Sequence, residues 1–177
     1  MNTFVPYADF VKSAKVLDNS RLNKQVLETV QILRVIDLEY PTKAWQNHPA
    51  VVQWHDHEIK LAMYGLAMEK EANDRGIKAN QKNEFIAKIK KYTSEGKNSD
   101  YPDWWGFEPM HASHRSNLTR KDAEHYGQYF NDKAGKPYIW IRDNKLQFGS
   151  YRSKITLEQA KKMQEQDICA EIVGKKL

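Results

Sequence analysis

Cysteine is nearly absent. Cys169 stands alone in 177 residues, so no internal disulfide can form and the core must hold by burial. Such sparing use suits a reducing, intracellular setting. No apolar run approaches the roughly 20 residues that cross a bilayer, and the opening MNTFVPYADF lacks the charged-then-apolar order of a secretory signal. A cytoplasmic protein without a membrane partner is expected. The chain also lacks a GxSxG elbow and a GxxxxGKS phosphate loop, which argues against a serine triad and against a nucleotide cofactor. His55 and His57 are two apart and fall on different sides of a helix, while His111 and His114 share a face but have no obvious further ligands. No metal and no other cofactor are therefore expected. Cys169, in a late polar stretch without a neighbouring His, reads as a small buried side chain rather than a nucleophile. There is no internal repeat and no low-complexity tract.

What is present fits one domain, long enough to bury a real core. The formal net charge is +5, a modest basic excess that favours polyanionic partners without demanding them. Aromatics are plentiful and include five Trp; they suit stacking on bases, although most Trp simply fill cores.

The periodicity predicts a mostly α protein with one small β-hairpin. Leu22, Val26, Val30, Leu33 and Ile36 recur at helical spacing, so a first helix should start at an Asp18, Asn19 or Ser20 cap and run to about Leu38. A second, long helix is expected from Pro49 to Arg75, stopped by Gly76, with Val52, Ile59, Met63, Leu66 and Ala67 buried. A third should cover Gln81–Tyr92. Glu95–Pro109 reads as a loop whose Trp104, Trp105 and Phe107 either anchor it or stand exposed for binding. A shorter helix or irregular segment follows over HASHRSNLTRKDAEHYGQYF. PYIWI and LQFGSY, separated by RDNK, read as a hairpin, and Thr156 should cap a final helix to about Ala170. The expected division is residues 1–142 as a helical domain and 143–177 as a hairpin and helix extension packed on it.

Three constellations could carry chemistry. Arg21, Gln25 and Glu28 fall on one flank of the first helix, at i, i+4 and i+7: either a site beside a buried stripe or a solvated flank with an ordinary ion pair. The segment HASHRSNLTRK packs His111, His114, Arg115, Arg120 and Lys121 with Ser113, Ser116, Asn117 and Thr119, the mixture that phosphate contacts use; a solvated basic helix would look the same. Asn47 and His48 precede a helix start, where an anion could bind or where either residue could simply cap.

The strings KVLDNSRLNKQVLETVQILR, WQNHPAV, NDRG, HASHRSNL and PYIW, in that order, resemble the pyrimidine dimer DNA glycosylase (phage endonuclease V) family from about Asn2 to Trp140, with residues 149–177 an addition. The resemblance implies a compact helical repair enzyme that flips a nucleotide out of duplex DNA, cuts the glycosidic bond at a pyrimidine dimer and nicks the abasic strand, in a bacterial or phage-infected cell. By the family's spacing from Leu22, the catalytic carboxylate is Glu28, and Arg21 becomes a contact to phosphate or substrate. Two family arginines fall here on Leu27 and Gln31. The family's nucleophile is the α-amine of a small residue exposed after loss of the initiator Met. Here the second residue is Asn2 and Thr3 comes one place later, so three options stand: the amine of Met1, the amine of Asn2, or water. An α-amine, titrating near about 8, is partly unprotonated at neutral pH. The expected DNA-contacting set is Arg21, Lys24, Gln25, Gln31, Asn47, His48, His111, His114, Arg115, Asn117, Arg120 and Lys121, on double-stranded DNA and in a monomer. Two other readings remain: a non-catalytic DNA-binding protein of the same fold, or a glycosylase for a phage-modified base.

Overall fold

Asp18 sets the start of the helix that organises the amino-terminal part of the chain: its carboxylate accepts from Arg21 N, satisfying one of the helix's free amides. A computed structural model describes residues 1–163 and Ile168. It divides into two compact units, Met1–Trp105 and Gly106–Leu177. The described residues are mostly helical, with one small antiparallel sheet, as the periodicity predicts.

In the first unit an extended segment leads into α1 (Phe10–Val16), followed by α2 (Asn19–Ile36), α3 (Pro49–Val52), α4 (Glu58–Asp74) and α5 (Lys82–Ser94). The helix expected first is thus the second. α1 is too short for a hydrophobic period to stand out. It is held at its end by Arg75, whose guanidinium donates to the carbonyls of Ala14, Lys15 and Leu17, the free carbonyls of a helix terminus. Leu22, Val26, Val30 and Leu33 of α2 are buried as expected, and Ile36 is half-buried.

The long second helix of the sequence reading is broken. α3 and α4 are separated by residues 53–57, where Asp56 takes a left-handed φ of 64° that an α-helix cannot hold. The buried face also differs from expectation. Ile59 is buried, but Met63 is exposed and Val52, Leu66 and Ala67 are half-buried. Leu61, Ala62, Tyr64, Gly65, Met68 and Ala72 face inward instead. Gly65 explains the shift. A Cβ there would lie 2.5 Å from the Phe85 ring and 2.9 Å from Thr29 Cγ2, so its hydrogen lets α2 and α5 approach α4 at this point. Beyond α2, Asp37 accepts from Lys88 and from the Tyr92 hydroxyl, tying the helix end to α5. Trp104 is buried and donates to Gln53 O at 3.0 Å, anchoring the following loop.

The second unit holds α6 (Glu108–Lys121), α7 (Ala123–Tyr126), β1 (Ile139–Arg142), β2 (Lys145–Phe148), β3 (Tyr151–Thr156) and α8 (Leu157–Lys162). β1 and β2 form the expected hairpin, with Arg142 opposite Lys145. The turn is only Asp143–Asn144, both at positive φ (51° and 57°), the left-handed pair a tight hairpin demands. The expected boundary between residues 142 and 143 falls at this turn. β3 adds a third strand beside β2. YRSKIT hides it, because Ser153 is its one fully buried position and no apolar alternation marks it. Thr156 caps α8 in a capping box with Gln159. α8 ends at Lys162; the remainder of the helix expected to Ala170, with Cys169, lies outside the described residues apart from Ile168, which is helical and buried.

Candidate active site

The flank of α2 read as either site or solvent is interior. Gln25 is fully buried and Glu28 is 7% exposed, so the solvated-flank alternative does not hold. A buried carboxylate and amide need partners, and they find them in the first residues of the chain. Glu28 Oε2 accepts from Asn2 N at 3.2 Å and from Gln25 Nε2 at 3.1 Å. Glu28 Oε1 lies 3.6 Å from the Met1 amine and 3.8 Å from Lys24 Nζ. Gln25 Oε1 accepts from Phe4 N at 2.8 Å and from Tyr64 Oη at 2.7 Å, and the same hydroxyl reaches Phe4 O at 3.0 Å. One residue earlier, Thr3 Oγ1 accepts from Trp54 Nε1 at 2.9 Å. The extended terminus is thereby pinned at Thr3 and Phe4, which fixes the nitrogens of Met1 and Asn2 beside the carboxylate. A carboxylate at this distance from an amine can receive its proton or stabilise cationic charge that develops there.

Met1 also lines a cleft of about 420 Å³ with Gln31 and Val35 of α2 and with Tyr40, Thr42, Ala44 and Trp45 of the following loop. Trp45 is 55% exposed and holds a φ of 71°. Its ring centroid is 5.4 Å from that of His48. His48 caps α3, its Nδ1 accepting from Ala50 N at 3.2 Å. Burial first, then the charge of the terminal amine, push the His48 imidazole below its ordinary value, with Glu28 opposing. This residue therefore senses both partners of the site.

The other expected contact residues scatter. Arg21 folds back on Asp18 at 2.6 Å. Lys24 and Gln31 are exposed on α2 and Asn47 is exposed on the loop. Gln25 is a correction: without exposed surface it holds Glu28 and Phe4 rather than offering a DNA contact. The basic surface expected of HASHRSNLTRK is a second correction. His111, His114 and Asn117 are buried, Asn117 donating to the carbonyls of Ser113 and Lys136. Burial, with the charges of His111 and Arg115, pushes the His114 imidazole down to about 3, so it carries no positive charge near neutrality. Arg115 is paired with Asp132 and Glu108. Arg120 and Lys121 are exposed. α6 is thus a core helix whose polar groups serve its own unit. Among the described residues no three His, Cys, Asp or Glu side chains gather as metal ligands, and no helix is long and apolar enough to cross a membrane.

The sequence reading missed Thr3, Trp54 and Tyr64 as supports, and Tyr40 and Trp45 as cleft walls. Tyr64 lies 39 positions from Gln25, beyond any local pattern. Trp45 carried a signal, as an aromatic in a polar loop between a helix end and NHP.

No curated protein and no solved structure gives a significant match to the chain. Residues 1–85, which include Glu28, its amide and amine partners and every cleft-lining residue, match the family model described as pyrimidine dimer DNA glycosylase.

Proposed function

We propose that the chain excises damaged or modified pyrimidines, pyrimidine dimers foremost, from duplex DNA and then cleaves the abasic strand. The reading rests on one observation: the Met1 amine and the Asn2 nitrogen both lie within 3.6 Å of Glu28 at the edge of a cleft. Either nitrogen, as the first in the mature chain, stays beside the same carboxylate, so the choice between Met1 and Asn2 does not move the site.

The unprotonated amine attacks C1′ of the target sugar. The N–C1′ bond forms, the bond from C1′ to the base breaks, and the base leaves with the electron pair and takes up a proton. Glu28 stabilises the cationic character at C1′. Loss of a proton from nitrogen, then opening of the C1′–O4′ bond with O4′ taking up a proton, give a protonated imine. The imine acidifies C2′; Glu28 accepts that proton, the C3′–O bond breaks, and the 3′ phosphate departs on its strand. Lys24, exposed 3.8 Å from Glu28, and Arg21, Gln31, Asn47, His48, Arg120 and Lys121 are proposed to contact DNA. Loss of stacking at a lesion lowers the cost of extrusion and contributes selectivity.

Glu28→Gln tests the reading. It keeps the hydrogen-bonding shape but loses the charge and the proton acceptor. Strand incision at a dimer should fall by at least about a hundredfold, while duplex affinity changes little. Full incision by this variant would overturn the assignment. Salt-sensitive binding by the unmodified protein with no incision at any lesion would support the non-catalytic alternative, which the exposed Leu27 in place of a family arginine favours.

A further inference from the structure

Resting on the excision reading above, we propose that Trp45 is the platform on which the base of the attacked nucleotide stacks, and that Gln31 meets that base's polar edge. C1′ carries the base, so an amine that reaches C1′ has the base within a few bonds of it. The space beside the amine is the cleft that Met1 shares with Gln31, Tyr40 and Trp45. Its volume, about 420 Å³, falls within the roughly 300–1,000 Å³ of sites that hold small molecules. None of its lining residues carries a carboxylate, which suits a nucleotide. Trp45 is not a core residue. It is 55% exposed, and Tyr40 is 40% exposed, so two exposed aromatic residues line the cleft. The Trp45 ring meets His48 at a tilt, centroids 5.4 Å apart, and burial does not explain the rest of its exposed surface, which can stack under an unpaired base. Gln31 lies three residues after Glu28 on α2, and its amide offers both a donor and an acceptor, as a base edge requires. Lys43, exposed between the lining residues Thr42 and Ala44, supplies a cation for the adjoining phosphate.

The inference separates two substrates. A dimer presents a base to stack; an abasic site does not. Single-turnover cleavage should be measured for the unmodified protein, Trp45→Ala and Trp45→Phe on one duplex carrying a cyclobutane pyrimidine dimer and on the same duplex carrying an abasic site. Trp45→Ala should lose about ten- to a hundredfold on the dimer and less than about threefold on the abasic site. Trp45→Phe, which keeps a ring, should recover most of the dimer activity. Equal activity of Trp45→Ala and the unmodified protein on the dimer, or equal losses on both substrates, would overturn the stacking role and leave the excision reading standing. An unmodified protein inert on both substrates would overturn both.

Discussion

Gln25 Nε2 donates to Glu28 Oε2 at 3.1 Å, so one amide both steadies the carboxylate and, through its oxygen, holds the backbone of Phe4. Gln25→Ala should therefore affect stability and turnover together. It removes the oxygen that the Phe4 N–H and the Tyr64 hydroxyl share, although the hydroxyl keeps Phe4 O, a cost of about 1–3 kcal/mol. Tyr64→Phe removes one donor and should cost only about 1 kcal/mol, yet it loosens the same anchor. Urea denaturation gives the stabilities. In incision kinetics Tyr64→Phe should lower kcat with KM little changed, because it moves the terminus rather than the DNA contacts. A pure KM effect would contradict the positioning role.

At Gly65 two effects oppose. In a free helix, alanine gains about 1 kcal/mol over glycine. Here the new methyl meets the buried Phe85 ring at 2.5 Å, and overpacking costs about 1–3 kcal/mol. The steric term should win, leaving Gly65→Ala destabilised by about 1–2 kcal/mol. Denaturant midpoints decide the sign; a stabilised variant would show that Phe85 yields freely.

Acid should weaken the protein through His114. Folding lowers its pKa from an ordinary 6.5 to about 3, so between those values the unfolded chain binds a proton that the folded one refuses. The contribution is complete above about pH 6.5 and is lost as pH falls toward 3, amounting to about 2 kcal/mol at pH 5. Thermal melts at pH 7 and pH 5 should show this drop, and His114→Gln should show a smaller one. An identical drop in both proteins would assign the acid sensitivity elsewhere.

Leu27 is 48% exposed beside Glu28, where the family pattern has an arginine. Leu27→Arg should tighten duplex binding and steepen the dependence of log affinity on log salt by about one unit, one extra phosphate contact. An unchanged salt slope would place this position away from the DNA.

The elements that could be read from the chain are those with local causes. Asp18 and Thr156 announce helix starts through side chains that satisfy nearby amides, and the Asp143–Asn144 turn lies between two apolar strands. The break before α4 was hidden because Asp56, with neither glycine nor proline nearby, adopts the left-handed conformation that ends the turn. Glu28 stood out by its place on α2 and by family spacing. Its surroundings did not, since Gln25 reads as a surface amide until Phe4 and Tyr64 close over it. The HASHRSNLTRK segment misled for a related reason. Its polar side chains bond to their own unit, as Asn117 does with Lys136 O, and composition alone does not distinguish inward from outward.

Reductive trapping addresses the pairing of amine and carboxylate most directly. The protein is mixed with dimer-containing duplex and borohydride, and the covalent adduct is digested and mapped by mass spectrometry alongside the intact mass of the free protein. An adduct on the α-nitrogen of the first residue, absent when that amine is blocked, is the expected result. Attachment to an internal lysine such as Lys15 or Lys24, or incision with no adduct at all, would contradict it.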